Sequence, residues 1–186
     1  MRRLVESTFV TLDGVISSPE VWGPPYWDGE HAAYADKLLG AADALLLGRV
    51  TYEGFAEAWP QRSGGYADRI NHLPKYVASR TLPIGEVDWN ATILGDDVAG
   101  EIAELKQEPG QHMLKFGTGE LDRLLLRDRL VDEYHLWIFP VVLGGGLRLF
   151  DGFPTTHLDM VDRTRFDSGI TVLTLTPKPS DESTLD

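Results

Sequence analysis

Apolar positions along this chain fall into short unbroken runs and into stretches of helical period, and the two kinds alternate. Leu45, Leu46 and Leu47 form a continuous run that suits a strand buried on both faces. The segment 3–11, rich in Val, Phe and Thr, predicts a first strand that stops at the turn signal Asp13-Gly14. Further strands are expected at 75–80, 88–94 and 112–116, and a long one at 130–143, where Pro140 marks a bulge or an edge. Helical spacing appears at 30–39, which Gly40 stops, and at 49–59, where Tyr52, Phe55, Ala56 and Trp59 share a face and Pro60 ends the run. A short helix is expected at 66–73, and an amphipathic one at 97–107 closed by Pro109-Gly110. Leu121, Leu124, Leu125 and Leu126 give another strongly apolar helical face. Segments 157–166 and 170–176, joined by Asp167-Ser168-Gly169, read as a hairpin that extends the sheet antiparallel.

Length and composition limit what such a chain does. With 186 residues, 42% of them hydrophobic and 25% charged, it fits one ordinary globular domain, expected over 1–177, with an acidic, flexible tail at 178–186. A net charge of −12 argues against nucleic-acid binding, which needs a basic face, but leaves room for a small anion held by a few local cations. The absence of cysteine excludes a disulfide scaffold and thiolate metal ligands, and the five histidines show no metal spacing. No apolar run approaches the ~20 residues of a membrane span, so a cytoplasmic location is expected.

Candidate chemistry collects where strands end. The strand carrying the three leucines changes character at Gly48, after which Arg49 and Thr51 open a helix; strand, glycine, cation and helix N-terminus together suit an anion. An ordinary turn with a solvated arginine reads equally from these residues alone. The strand at 75–80 runs out into Ser79 and Arg80, and if it is a parallel neighbour of the first, both arginines reach one sheet edge. Gly117-Thr118-Gly119 forms a second glycine turn before a helix, whose backbone amides suit a pyrophosphate provided Glu120 and Asp122 point away. The loop 17–29, with three prolines and three large aromatics, either closes over a ligand or packs its rings on the core. Gly144-Gly145-Gly146 either passes close to a ligand or forms a mobile loop. Asp13 and Glu30 are candidate proton donors; each also reads as a turn former or helix-start acid.

The ordered set LDGVI, LLLGRVTYE, KYVASRTL, FGTGELDRLLL and VDEYHLWIFPVVLGGGLRLF resembles the dihydrofolate-reductase-like superfamily. The nearest resemblance is to single-domain proteins similar to the C-terminal reductase domain of the bifunctional riboflavin-biosynthesis deaminase-reductase, over nearly the whole chain. It implies an α/β fold with a mostly parallel central sheet, flanking helices and an antiparallel C-terminal hairpin. It also implies NADPH as cofactor and hydride transfer to a small heterocycle or imine, pterin-like or ribosylaminopyrimidine-like. By the same resemblance Gly48, Arg49 and Thr51 lie at the cofactor phosphates, Ser79 and Arg80 surround the 2'-phosphate, and Gly117, Thr118 and Gly119 hold the pyrophosphate. Ile16 lies against the nicotinamide, and a homodimer is expected. Folate reductases carry paired glycines at the 117–119 turn, so their peptide geometry does not transfer. Counted back from Gly48 without a gap, the position of their pteridine-binding acid is Ala32, with Glu30 and Asp36 on either side. The zinc motif of the deaminase half is absent, which leaves only a reductase step. A nucleotide-binding module without turnover is the alternative, because the expected residues bind a cofactor without performing chemistry.

Overall fold

A computed structural model of the protein describes residues 1–179, so most of the expected acidic tail lies outside the described residues. Nine strands form one sheet: β1 (Arg3–Thr11), β2 (Ala42–Gly48), β3 (Lys75–Ala78), β4 (Gly85–Val87), β5 (Ala91–Ile93), β6 (His112–Phe116), β7 (Glu133–Phe139), β8 (Leu158–Arg165) and β9 (Thr171–Pro177). The helices are α1 (Pro19–Trp22), α2 (Gly29–Gly40), α3 (Arg49–Ala58), α4 (Gly65–His72), α5 (Val98–Gln107) and α6 (Glu120–Arg127). Across the sheet the order is β4-β5-β3-β2-β6-β1-β7-β9-β8. The six strands from β5 to β7 pair in parallel, while β4, β9 and β8 are joined by antiparallel pairings. This is the expected α/β architecture with its antiparallel C-terminal hairpin.

Burial explains the centre. Leu45, Leu46 and Leu47 are all fully buried because β2 is covered on both faces. Leu46 joins Leu4, Met113, Ile102 and Leu125 under α5 and α6, whereas Leu45 and Leu47 join Val5, Leu39, Ile70 and Val77 on the opposite face. A third, aromatic cluster of Trp22, Trp137, Phe139 and Phe166 fills the space beside α2.

Two local expectations change, and the loop 17–29 takes one of its two expected forms. The long strand is shorter, 133–139, because Pro140 has no N–H to continue the ladder and Arg129 turns the chain at a positive φ of 54°. The stretch 88–94 is not one strand: Trp89 and Asn90 adopt left-handed conformations, φ 66° and 55°, making the turn of a small β4–β5 hairpin. The loop 17–29 is largely ordered as α1 and a 3-10 turn at Pro24–Tyr26, and its buried Trp22 donates its indole N–H to the Ser17 carbonyl at 2.9 Å. Trp22 and Tyr26 pack edge-on against Phe139, so in this structure these aromatics complete the core. Among the described residues no helix is long and apolar enough to cross a membrane.

Candidate active site at the C-terminal sheet edge

Strand register decides which loops meet. Gly48 pairs with Ala78, which sets the start of α3 beside Ser79 and Arg80. Leu46 pairs with Lys115, and Gly117 N–H donates to the Ser7 carbonyl at 2.9 Å, so the 117–119 turn rises between the ends of β2 and β1. β6 lies between β2 and β1, where the chain's progress across the sheet reverses; ligands of open α/β sheets bind in that crevice. Gly48, Arg49, Thr51, Ser79, Arg80 and Gly117–Gly119 therefore belong to loops at one edge.

Their present partners are specific. Arg49 forms an ion pair with Glu53 one helical turn on, at 2.9 Å. Ser79 Oγ accepts from the amides of Thr81 and Leu82 at 3.2 and 3.0 Å and so shapes its own loop, while Arg80 is exposed. Glu120 points outward toward Arg123, 3.5 Å away, whereas Asp122 turns inward and accepts the Gly119 amide at 2.5 Å. Thr118 Oγ1 donates to Glu6 Oε1 at 2.6 Å. The turn is thus held from below, with the Gly119 amide and the Thr118 hydroxyl both engaged inside the protein.

The other rim is a pair of interlocked loops. Ile16 N–H donates to Leu147 O at 2.8 Å and Leu149 N–H to Gly14 O at 2.9 Å, stitching 12–17 to 141–149. Asp13 accepts from Thr11 Oγ1 at 2.6 Å and from the amides of Gly144 and Leu143 at 2.8 and 3.2 Å. Those bonds, the Thr11 hydroxyl first, hold its carboxyl down at about 2. Asp13 thus serves as the turn former that the sequence also allowed, and it anchors the triple-glycine loop. That loop is fastened in this structure: a Cβ on Gly146 would sit 2.6 Å from Val15 Cγ1. Glu30, the other expected donor, is exposed and accepts the Asp167 amide at 2.6 Å, tying α2 to the β8–β9 turn.

Two residues with no role in the sequence reading occupy this region. His31, on the first turn of α2, stacks on Trp27 with centroids 5.6 Å apart and meets Phe9 and Trp137 at 5.5 and 5.0 Å. Its Nε2 is buried without a partner, and burial lowers its pKa below the ordinary imidazole value. Ala32 and Asp36 are exposed, whereas His31, Tyr34, Ala35, Leu38 and the fully buried Leu39 face inward, with Ala35 and Leu38 on the aromatic hollow. The helical spacing of His31 with Ala35 and Leu38 was a signal available in the sequence. The second is Glu6, an acid inside a strand that beyond Arg3 at its start is otherwise apolar and hydroxyl in character. Its alternation with Leu4, Thr8 and Val10 placed it on a buried face.

Space at this edge is limited. The hollow bounded by Ser7, Phe9, Phe116 and Trp137 holds about 40 Å³, room for about three waters. A cavity of about 240 Å³ lies on the same face toward the N-terminal ends of the strands, lined among others by Tyr34, His112 and His135. There His135 Nε2 meets Glu133 at 2.7 Å and its Nδ1 meets the Tyr34 hydroxyl at 2.8 Å. Arg3 and His135 help hold the Glu133 carboxyl low, so Nε2 carries the proton toward it and Nδ1 accepts from Tyr34.

Comparison with known proteins agrees with this layout. The sequence model of the RibD C-terminal domain family matches residues 2–172. The chain belongs to that family. The RibD C-terminal domain is a reductase-like domain, and its fold accounts for the parallel sheet and its loops. The chain is similar to the uncharacterized protein YyaP of Bacillus subtilis (strain 168), 31% identical over 177 residues, covering 91% of this chain and 92% of that one. A second relative, the uncharacterized protein YwjB of the same organism, is 29% identical over 153 residues, 80% of this chain and 83% of its own. Among solved structures, a putative riboflavin biosynthesis protein from Shewanella sp. PV-4 superposes with a TM-score of 0.73 at 22% identity, over 95% of this chain and 99% of that one. A pyrimidine reductase-like protein from Corynebacterium diphtheriae gives 0.66 at 15% identity, over 96% and 93%. The Thermotoga maritima diaminohydroxyphosphoribosylaminopyrimidine deaminase/5-amino-6-(5-phosphoribosylamino)uracil reductase gives 0.67 at 14% identity, over 95% of this chain and 57% of that longer one.

Proposed function

We propose that this protein is an NADPH-dependent reductase that passes a hydride to a small heterocyclic or imine acceptor of the pyrimidine or pterin kind. The observation that carries the reading is the register that gathers two glycine turns, each opening a helix, and the Ser79-Arg80 exit at the crevice where β6 separates β2 from β1. Arg49 and Thr51 would hold cofactor phosphate, with the Arg49–Glu53 pair opening to free the guanidinium; Ser79 and Arg80 would flank the 2'-phosphate, and Gly117–Gly119 the pyrophosphate. Ile16, fixed by its bond to Leu147, would lie against the nicotinamide. The cofactor supplies the hydride, and the protein's part is to orient the acceptor and exclude water. The aromatic hollow, at about 40 Å³, is too small for a bicyclic ring, so the acceptor would rest outside it, beside Phe9. We place the protein in the cytoplasm and as a homodimer in the same reading.

One observation favours a second reading, a nucleotide-binding module without turnover: Asp13 and Glu30 are both committed to backbone amides. Titration with NADPH followed by loss of its absorbance with a panel of pyrimidines, pteridines and imines separates the two. Binding with acceptor-dependent consumption supports the reductase. Binding with no consumption supports the silent module, and no binding refutes both.

A further inference from the structure

The charges beneath the 117–119 turn do not balance. Glu6 on β1, Lys115 on β6 and Asp122 on α6 are buried together, with side-chain exposures of 0, 3 and 3%, so two carboxyls share one ammonium. Lys115 Nζ is 2.7 Å from Asp122 and 3.9 Å from Glu6, which commits the ammonium to Asp122. Lys115 also donates to the carbonyl of Gly117. Glu6 Oε1 accepts from Thr118 at 2.6 Å and from Thr8 at 3.2 Å. Glu6 Oε2 has no hydrogen-bond partner, and Asp122 Oδ1 has no well-aligned donor although the ammonium is near. Tyr134, opposite Glu6 on β7, is the remaining titratable neighbour, and burial and the two carboxyls raise its pKa.

A lone carboxylate in such a dry site costs more than protonating it. One proton on Glu6, shared with the neighbouring Asp122 side chain, leaves one ammonium, one carboxylate and one neutral acid and gives the unpartnered carboxyl oxygens a donor between them. Burial first, and then the charge of Asp122, pushes the Glu6 carboxyl up to about 8, against the pull of Lys115. Two carboxyls in such contact lose their shared proton as a unit.

We infer that Glu6 and Asp122 share one proton in the free protein, and that an anion bound at the 117–119 turn draws a proton onto this pair when the solution is alkaline enough to have removed it. Glu6 is thereby a positioning residue: it sets the Thr118 hydroxyl, while Asp122 sets the Gly119 amide, and the proton decides how much negative charge an incoming phosphate meets. The step balances without a redox partner, since one proton passes from water or buffer to Glu6 Oε2 for each anion bound. The coupling to the cofactor rests on the reductase reading above; the shared proton does not.

Two measurements test it. Infrared difference spectra of the free protein between about pH 6 and about pH 9.5 should show a protonated carboxyl lost through about pH 8, absent in Glu6→Gln and shifted to lower pH in Asp122→Asn. Calorimetric titration with NADPH at about pH 8.5, in two buffers of different ionisation enthalpy, should show uptake of more than about half a proton per cofactor in the native chain and almost none in Glu6→Gln. Glutamine keeps an acceptor for Thr118 and turns an N–H toward Asp122, so the variant should bind NADPH with affinity nearly independent of pH. The native affinity should fall up to about tenfold per pH unit above about 8. No titrating carboxyl, or equal proton uptake by both proteins, would overturn the inference. A titrating carboxyl with no NADPH binding would overturn the cofactor reading and its coupling while establishing the shared proton.

Discussion

Across 112 positions of sequence, the hydroxyl of Thr118 donates a 2.6 Å hydrogen bond to the fully buried carboxyl of Glu6. Removing the hydroxyl leaves a buried acceptor with a single remaining donor, Thr8. Thr118→Val should therefore lower unfolding free energy by about 1–3 kcal/mol in urea denaturation. A change within experimental error would show that the bond contributes nothing to the fold.

The same carboxyl, with its pKa raised by burial, should give the protein a pH-dependent stability. Its folded-state pKa, about 8, lies above the ordinary 4.5 of an unfolded chain. Between those values the folded protein holds a proton that the unfolded chain has released. Stability from this group is complete below about 4.5, is lost as pH rises toward about 8, and stays lost above it, with a slope of up to about 1.4 kcal/mol per pH unit. Glu6→Gln should flatten the profile across this window and make the variant relatively more stable at the alkaline end. Denaturation midpoints measured across the window decide it.

Asp13 fastens the triple-glycine loop through the amides of Leu143 and Gly144. In Asp13→Ala these amides should lose hydrogen-exchange protection while those of β7 keep theirs. Because the pKa of Asp13 is depressed to about 2 from an ordinary 3.8, the fastening is present above 3.8 and disappears only as pH falls through about 2. Unchanged exchange at Gly144 would mean that the Ile16–Leu147 and Leu149–Gly14 backbone bonds suffice.

Arg80 is exposed two residues beyond the end of β3. A charge-assisted bond to a 2'-phosphate contributes about 1.5–3 kcal/mol, so Arg80→Ala should weaken NADPH about tenfold or more and leave NADH almost unchanged. Titrating the variant with both cofactors checks this, and equal losses would remove Arg80 from the 2'-phosphate site.

Dihydrofolate should be a poor substrate. Ala32 carries no carboxyl, Glu30 is bonded to the Asp167 amide, and Asp36 faces solvent, so no acid of α2 enters the aromatic hollow. Turnover with NADPH should be slower than in a true folate reductase by the factor of about 10²–10⁴ that general acid catalysis supplies. A steady-state assay giving ordinary rates that vanish in Glu30→Gln would reverse this. Rates that vanish in His31→Gln instead would identify the buried imidazole as the group that assists.

The apolar stretch Tyr134 to Leu143, whose length suggested a homodimer, is mostly β7 inside the sheet between β1 and β9, so a homodimer would form through another surface. Met160 and Val161 on the outer strand β8 are both more than half exposed, which suits pairing between copies. Light scattering at micromolar concentration that returns a 20.7 kDa particle would refute the dimer.

Local sequence was enough wherever structure follows from neighbours along the chain. The three leucines of β2 announced a strand covered on both faces, Gly48 and Gly119 marked strand-to-helix turns, and Asp167-Ser168-Gly169 placed the terminal hairpin. These features depend on periodicity and on which residues tolerate a turn, both of which are written into adjacent positions. Gathering the cofactor-type loops at one edge also followed, once parallel pairing was assumed. What only the tertiary structure decided is which polar groups meet. Asp13 read as a proton donor or a turn former, and Glu30 as a proton donor or a helix-start acid; the backbone amides of Leu143 and Gly144 and of Asp167 are what the fold brought to them. His31 gained its place from Trp27 beside it and from Phe9 and Trp137 on two different strands. Glu6 became half of a proton-sharing pair because strand order set β6 beside β1 and α6 delivered Asp122 from far along the chain. A side chain's charge state depends on burial and on partners within a few ångströms, and those partners are chosen by the folded topology rather than by spacing along the chain.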